Sequence, residues 1–208
     1  FMRIPGLKVV MPAMPNDAKS LLIASVNDPN PVIFIDDRWC YDYEDFISDD
    51  INESKLGEAK VIGEGEDLTI VAMSYMVHEA LKARDAFLDK GVSIEVIDLR
   101  TIKPWDSKTI IDSVNKTKRM VIADTGWMQN GVSSEISSLV GGQMHSELMS
   151  PNLRVALPNI PAPCARSLEE VYYPNADTLI NAINISLGKE SFDNIECLTK
   201  TIPGLISY

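Results

Sequence analysis

Several things are scarce in this sequence. Only three of its 208 residues are cysteines, Cys40, Cys164 and Cys197. They are odd in number and widely spaced, with no CxxC pair and no Cys/His metal spacing, which argues against a disulfide framework or a structural zinc site. In a reducing compartment each reads as a small buried or half-buried side chain. Histidine occurs twice, as His78 and His145; both read as partly exposed helical side chains, and the Ser146-Glu147 pair beside His145 is no triad. G-x-G-x-x-G, Walker and G-x-S-x-G motifs are missing, so no nucleotide fingerprint or nucleophile elbow is present. No apolar run approaches a membrane span, and the start FMRIPGLK has no long apolar core. Basic residues are outnumbered, 19 Lys and Arg against 30 Asp and Glu, for a net charge of −11. That balance argues against duplex nucleic acid and anionic membranes as partners and favours a basic protein. The reading is of a cytoplasmic protein.

What is present is an apolar fraction of 45%, enough for a real core. From Leu68 to Asp124 the chain alternates short β-branched runs with longer helical periods: LTIVAM, SYMVHEALKARDAFLDKG, VSIEVIDL, DSKTIIDSVNKT, RMVIAD. This pattern predicts an α/β fold whose parallel strands are joined by crossover helices. LGEAKVI (56–62) reads as a further strand. Its connection to LTIVAM, GEGED, is too short for a crossover to a parallel neighbour, so the two are expected to run antiparallel. With LRVAL (153–157) the expectation is a three-layer α/β/α domain whose mostly parallel five-stranded sheet has one antiparallel edge strand. Ser74, Asp106 and Asn175 are the expected helix caps, with Trp105 and Ile110 placed for a hydrophobic staple. Gly141-Gly142 is expected to end its helix early.

Upstream, LKVVM, a helix capped by Asn16 or Asp17, and VIFID form one β-α-β unit. The helix is expected to face inward through Leu21, Leu22 and Ala24 to Val26. One such unit cannot make a sheet covered on both faces, so residues 1–36 read as the tail of a larger domain. Residues 37–55 read as an acidic linker, 56–188 as the main domain and 189–208 as a weakly patterned tail. Trp39, Tyr41 and Tyr43 alternate along the linker and are placed to pin it to a neighbouring surface.

Two stretches attract attention chemically. DTGWMQNG (124–131) follows a parallel strand and opens a helix, where α/β sheets bind ligands and free amides attract anions; the competing reading is a tight turn anchored by Trp127. Carbonyls at the helix end 25–30 gather beside Asp28, which suits a hard cation, although by spacing alone this is only a helix stop.

IPGLKVVMP, DAKSLLIASVNDPNPVIFID, GEGEDLTIVAMSYMVHEALKA, VSIEVIDLRTIKPWD, SVNKTKRMVIADTGW and GVSSEI together resemble the beta subunit of thiamine-diphosphate-dependent 2-oxo-acid dehydrogenases of the pyruvate and branched-chain type. The resemblance runs from about residue 4 to residue 187. It implies that 1–36 is the end of a pyrimidine-binding domain and 56–188 a transketolase C-terminal-like domain. The family's cofactor-activating glutamate and active-site histidine would lie upstream of Phe1, so no catalytic or cofactor-binding residue carries over. What carries over is a potassium site, held largely by main-chain oxygens, at Ser25, Val26, Asp28 and Asn30. The resemblance further implies an oligomeric enzyme using thiamine diphosphate and magnesium held mainly by other segments, with an alpha-type subunit and an acyltransferase component as partners. Two alternatives stand beside it: a free-standing binding module, and the matching domain of a transketolase or related synthase.

Overall fold

The computed structural model describes residues 1–50, 54–189 and 206–207. Its main sheet has the strand order β3-β5-β4-β7-β8-β9, formed by β3 (Lys60–Gly63), β4 (Leu68–Ala72), β5 (Ile94–Asp98), β7 (Met120–Trp127), β8 (Leu153–Leu157) and β9 (Ile206–Ser207). β5, β4, β7 and β8 are mutually parallel, whereas β3 and β9 run antiparallel at the two edges. The five expected strands are therefore present, and β9 adds a short sixth. The rest of the tail beyond Lys189 lies outside the described residues.

β4 and β5 are buried at every position, because helices cover both faces. One face packs against α2 (Met76–Leu88) and α6 (Ala176–Ser186), with Phe87, Leu179 and Ile183 in its core. The other packs against α3 (Ser107–Thr117) and α4 (Val132–Met144), with Ile110, Val114, Ile136 and Val140. Burial of apolar area on both sides is what lets a parallel sheet hold together.

Two caps fall where the sequence places them. Asp106 accepts the Thr109 amide at 3.0 Å, and Asn175 forms a reciprocal capping box with Thr178. Trp105 and Ile110 share one apolar cluster, as a staple requires.

Other local details depart from expectation. β3 runs antiparallel to β4 at the sheet edge, as expected, but its hydrogen-bonded neighbour is β5. The short 64–67 connection crosses the start of β5 instead of closing a hairpin, and two strand spacings are well within its reach. Gly65 allows this close passage: a Cβ there would lie 2.2 Å from the Glu95 amide nitrogen. α4 runs through Gly141 and Gly142 to Met144, because Val140 and Met144 are buried and outweigh the glycine penalty of about 1 kcal/mol each. Ser74 does not cap α2; it sits in the left-handed region at φ 52° and donates to Asp37.

The first unit comprises β1 (Lys8–Val10), α1 (Pro15–Val26) and β2 (Val32–Phe34). Neither Asn16 nor Asp17 caps α1, which begins at Pro15 after Met14. Of the residues expected to face inward, Leu21 is buried, but Leu22 and Val26 are 49% and 77% exposed. β1 and β2 pair in parallel. A strand the sequence does not announce, β6 (Thr101–Lys103), pairs antiparallel with β1 and joins the first unit to the main sheet.

Candidate functional site

The carboxyl ends of parallel strands, where α/β sheets present ligand sites, carry two structures here. The first is the second half of β7 with the 128–131 turn that follows it. Asp124, buried within β7, accepts the Gly126 amide at 2.8 Å through Oδ1 and the Ser133 amide at 2.9 Å through Oδ2. The amino terminus of α4 therefore receives an anion from its own chain, which is the arrangement its dipole and free amides favour. Gly131 makes it possible, since a Cβ there would stand 2.6 Å from the Trp127 carbonyl oxygen. Trp127 anchors the loop through Nε1, which donates to the Tyr172 hydroxyl at 3.3 Å; that hydroxyl in turn donates to the Ile160 carbonyl at 3.0 Å. The tight-turn reading of DTGWMQNG is thus the one the structure supports.

The second structure is a cleft of about 470 Å³ between the 37–55 segment, the start of α2, a short helix α5 (Arg166–Tyr172) and the start of α6. Trp39 stands on a single 3-10 turn whose first residue, Asp37, accepts the Trp39 amide at 3.0 Å. The other Asp37 oxygen accepts from Ser74 at 2.9 Å, fixing that turn to the end of β4. The Trp39 ring lies 4.7 Å, centroid to centroid, from both Tyr75 and Tyr173, tilted at 53° and 59°. Tyr75 is held by a 2.7 Å bond from its hydroxyl to the Pro174 carbonyl, and burial, followed by the charge of Glu79, pushes its ionisation far up. Tyr173 is likewise raised, burial again being the main cause.

Glu79, Glu169 and Glu170 line the cleft against one guanidinium, Arg166. Glu79 is engaged by Lys82 at 2.6 Å and by the Ala176 amide at 2.8 Å, and Glu170 by Arg166 at 3.3 Å. Glu169 makes no ion pair or side-chain hydrogen bond among the described residues. Beside the cleft, His78 stacks on Tyr43 at 3.5 Å and bonds the Ala13 carbonyl through Nε2, with its pKa lowered by burial. Trp39 and Tyr43 thus pin the segment, while Tyr41 stays exposed and bonds Asp36. Sequence reading finds the aromatic alternation but not the cleft, whose walls come from distant parts of the chain. Tyr75 and Tyr173 carry no local signal of it.

The four residues expected to hold potassium do lie together, Ser25 and Val26 at the end of α1 and Asp28 and Asn30 in the turn that follows. There, Asp28 Oδ1 accepts the Asn30 amide at 2.9 Å and its side-chain nitrogen at 3.0 Å, and Oδ2 is ion-paired with Lys8. The hydrogen bond from Lys8, with the Asn30 amide second, lowers the Asp28 pKa to about 2. The Ser25 carbonyl already accepts the Asp28 amide at 3.4 Å, and the Ser25 hydroxyl donates to Leu21. The lysine ammonium thus takes the Asp28 carboxylate, and a potassium ion at this turn would have to use main-chain oxygens. Melting temperatures compared in potassium chloride and sodium chloride at equal ionic strength test for such a site: a potassium-specific rise is expected if those oxygens hold the ion, and coincident values would rule it out.

Among the described residues no cluster of three His, Cys, Asp or Glu is placed to hold a metal, and no helix is long and apolar enough to cross a membrane. Cys40 is half-buried, and burial pushes its thiol pKa up to about 11. Cys164, against expectation, is exposed, because it lies in the proline-rich 158–164 stretch outside the packed layers. Cys197 lies outside the described residues. His145 is exposed at the end of α4.

Residues 57–179 match the transketolase C-terminal domain family. The chain belongs to that family. This transketolase-type chain is 40% identical over 180 residues to the pyruvate dehydrogenase E1 component subunit beta of Rickettsia bellii, covering 86% of itself and 55% of the relative. It is 39% identical to the corresponding mitochondrial beta-1 subunit of Arabidopsis thaliana, covering 88% of itself and 51% of that protein. It is also 36% identical to the beta subunit of acetoin:2,6-dichlorophenolindophenol oxidoreductase from Cupriavidus necator, over 85% of itself and 52% of the relative. The chain thus spans about half the length of these curated relatives. In fold it is similar to a solved split-gene transketolase described as an inactive beta4 tetramer, with a TM-score of 0.76 at 21% identity, covering 90% of this chain and 60% of that one.

Proposed function

We propose that this chain is the C-terminal portion of a beta-type subunit in the decarboxylase component of a 2-oxo-acid dehydrogenase. The observation that carries the reading is identity of 36–40% to such beta subunits over more than four-fifths of the chain. In this reading residues 1–36 belong to a pyrimidine-binding domain, 37–55 link it to the domain at 56–188, and 189–208 form a tail. The fold is consistent: β2 has a free outer side among the described residues, where further strands of the first domain would pair.

The role in this reading is assembly with an alpha-type subunit and docking of an acyltransferase component, to which a net charge of −11 is suited if that partner is basic. Thiamine diphosphate and magnesium would be held by other segments of the intact enzyme and would supply the decarboxylation chemistry. Coexpression of the complete beta-type subunit with an alpha subunit is expected to give thiamine-diphosphate-dependent decarboxylation of a 2-oxo acid, with no activity from the 208-residue chain alone. Failure of the complete assembly with every 2-oxo acid tried would overturn the proposal. Similarity to the acetoin oxidoreductase subunit makes acetoin the substrate to include beside them. Turnover of acetoin alone would move the chain to that branch.

A further inference from the structure

The cleft between the 37–55 segment, α2, α5 and α6 has walls of one chemical kind and a rim of another. Its walls are the rings of Trp39, Tyr75 and Tyr173, and Trp39 is 50% exposed, so part of the indole remains accessible to an incoming group. Its rim carries the unengaged carboxylate of Glu169 beside those of Glu79 and Glu170, which Lys82 and Arg166 already pair. An anion here would meet the one uncompensated negative charge, that of Glu169. A purely apolar group would strip water from Glu169 and return no partner, which costs more than the ring contacts recover. A cation satisfies both parts, because aromatic faces attract it through their quadrupoles and the carboxylate neutralises it.

We propose that this cleft receives the cationic side chain, arginine or lysine, of a basic polypeptide partner. The cleft is open to solvent and larger than one guanidinium or ammonium group, so it has room for the flanking backbone. The net charge of −11 attracts a basic segment over a longer range than the cleft itself. The pocket is also preformed. Asp37 holds Trp39, the Pro174 carbonyl holds Tyr75, and the Ala176 amide holds Glu79. Little ordering cost therefore remains at binding. None of these contacts depends on whether the chain serves a decarboxylase.

The test is titration of the full chain with a blocked hexapeptide carrying one arginine in an otherwise neutral sequence, followed through the indole N–H resonance of Trp39. The control peptide carries citrulline, which keeps the shape of arginine and loses its charge. Saturable binding of the arginine peptide is expected, with at least tenfold weaker binding of the citrulline peptide. Trp39→Ala is expected to weaken the arginine peptide roughly threefold to thirtyfold, the range of one cation–π contact. Its binding is read from the resonances of neighbouring backbone amides. Glu169→Gln should weaken binding about threefold at low salt. Trp39→Phe keeps a ring and should fall between the parent and the alanine variant, which separates loss of the contact from loss of the fold. Equal binding of both peptides, an unaffected Trp39→Ala variant, or no response to millimolar arginine peptide would each overturn the proposal.

Discussion

Replacing Arg100 by alanine is expected to destabilise the chain by about 3–5 kcal/mol, the cost of leaving a buried charge without its partner. The guanidinium is buried and makes five hydrogen bonds. Nη1 donates to Asp17 at 2.9 Å and to the Ser54 hydroxyl at 3.1 Å. Nε and Nη2 donate to the Glu58 carbonyl at 3.1 and 2.9 Å, and Nη2 also to the Ala59 carbonyl at 3.3 Å. One side chain thereby ties α1 to the segment that leads into β3. Without it Asp17, 1% exposed, keeps, among the described residues, only the Ser54 hydroxyl at 2.6 Å and the Lys60 ammonium at 3.7 Å. Lysine is not expected to rescue, because a point charge cannot reproduce a planar fork of five donors. Replacing both members, Asp17→Leu with Arg100→Met, is expected to cost far less than Arg100→Ala alone, since no orphan charge remains. Urea unfolding monitored by circular dichroism measures all three. A loss under about 1 kcal/mol for Arg100→Ala would show that water reaches Asp17 at little cost.

The second large effect is a fall in stability as pH rises from about 4 to about 7, due to Asp98. This carboxylate is fully buried at the end of β5. Its Oδ1 accepts the Arg100 amide at 3.0 Å, and its Oδ2 has no hydrogen-bond partner among the described residues. Burial, with the charge of Asp17 adding to it, raises its pKa from the ordinary 3.8 to about 7, against the lowering effect of the Arg100 amide and charge. Between those values the folded chain keeps a proton that the unfolded chain has lost. Stability from this group is therefore full below the unfolded pKa and is lost as pH climbs through the folded one. The interval from 3.8 to about 7 corresponds to roughly 4 kcal/mol.

His78 works in the opposite sense within the same range. Its folded pKa is lowered, so it costs stability as pH falls through 6.5. The lowered carboxylates Asp28, Glu95 and Asp106 lose their contributions only below the ordinary carboxylate range. The decisive measurement is thus the difference in unfolding free energy between the parent and Asp98→Asn, a variant that is permanently neutral. The variant should gain on the parent steadily between pH 4 and pH 7 and hold that gain above. A difference that does not change with pH would remove Asp98 as the source.

Wherever a feature depends on neighbours in the chain, sequence reading locates it well. The runs that become β4, β5, β7 and β8 are legible because a strand buried on both faces needs an unbroken apolar stretch. Asp106 and Asn175 are legible because a cap bonds an amide three residues away. Pairing is not legible in this way. The short 64–67 connection shows that its two strands run antiparallel, but not that it crosses the start of β5 and leaves β3 paired to β5, which the close approach at Gly65 reveals. The continuation of α4 through two glycines depends on what lies beneath Val140 and Met144, which no local propensity records.

The site divides along the same line. The alternation of Trp39, Tyr41 and Tyr43 marks a segment made for packing, but its partners Tyr75, His78 and Tyr173 are scattered along the chain. Asp28 reads as a cation ligand because its helix-end setting is local, while Lys8, which already serves it, arrives from β1. By itself, then, the sequence determined the fold class, the caps at Asp106 and Asn175 and the acidic charge, which rest on composition and short-range periodicity, and it carries the motifs on which the family resemblance stands. The tertiary structure alone decided which carboxylates are paired, that Asp124 fills its own helix terminus, and that three rings and a free glutamate face one cleft. Those are contacts between residues far apart in the chain, and their energies come from burial and geometry that exist only once the chain has folded.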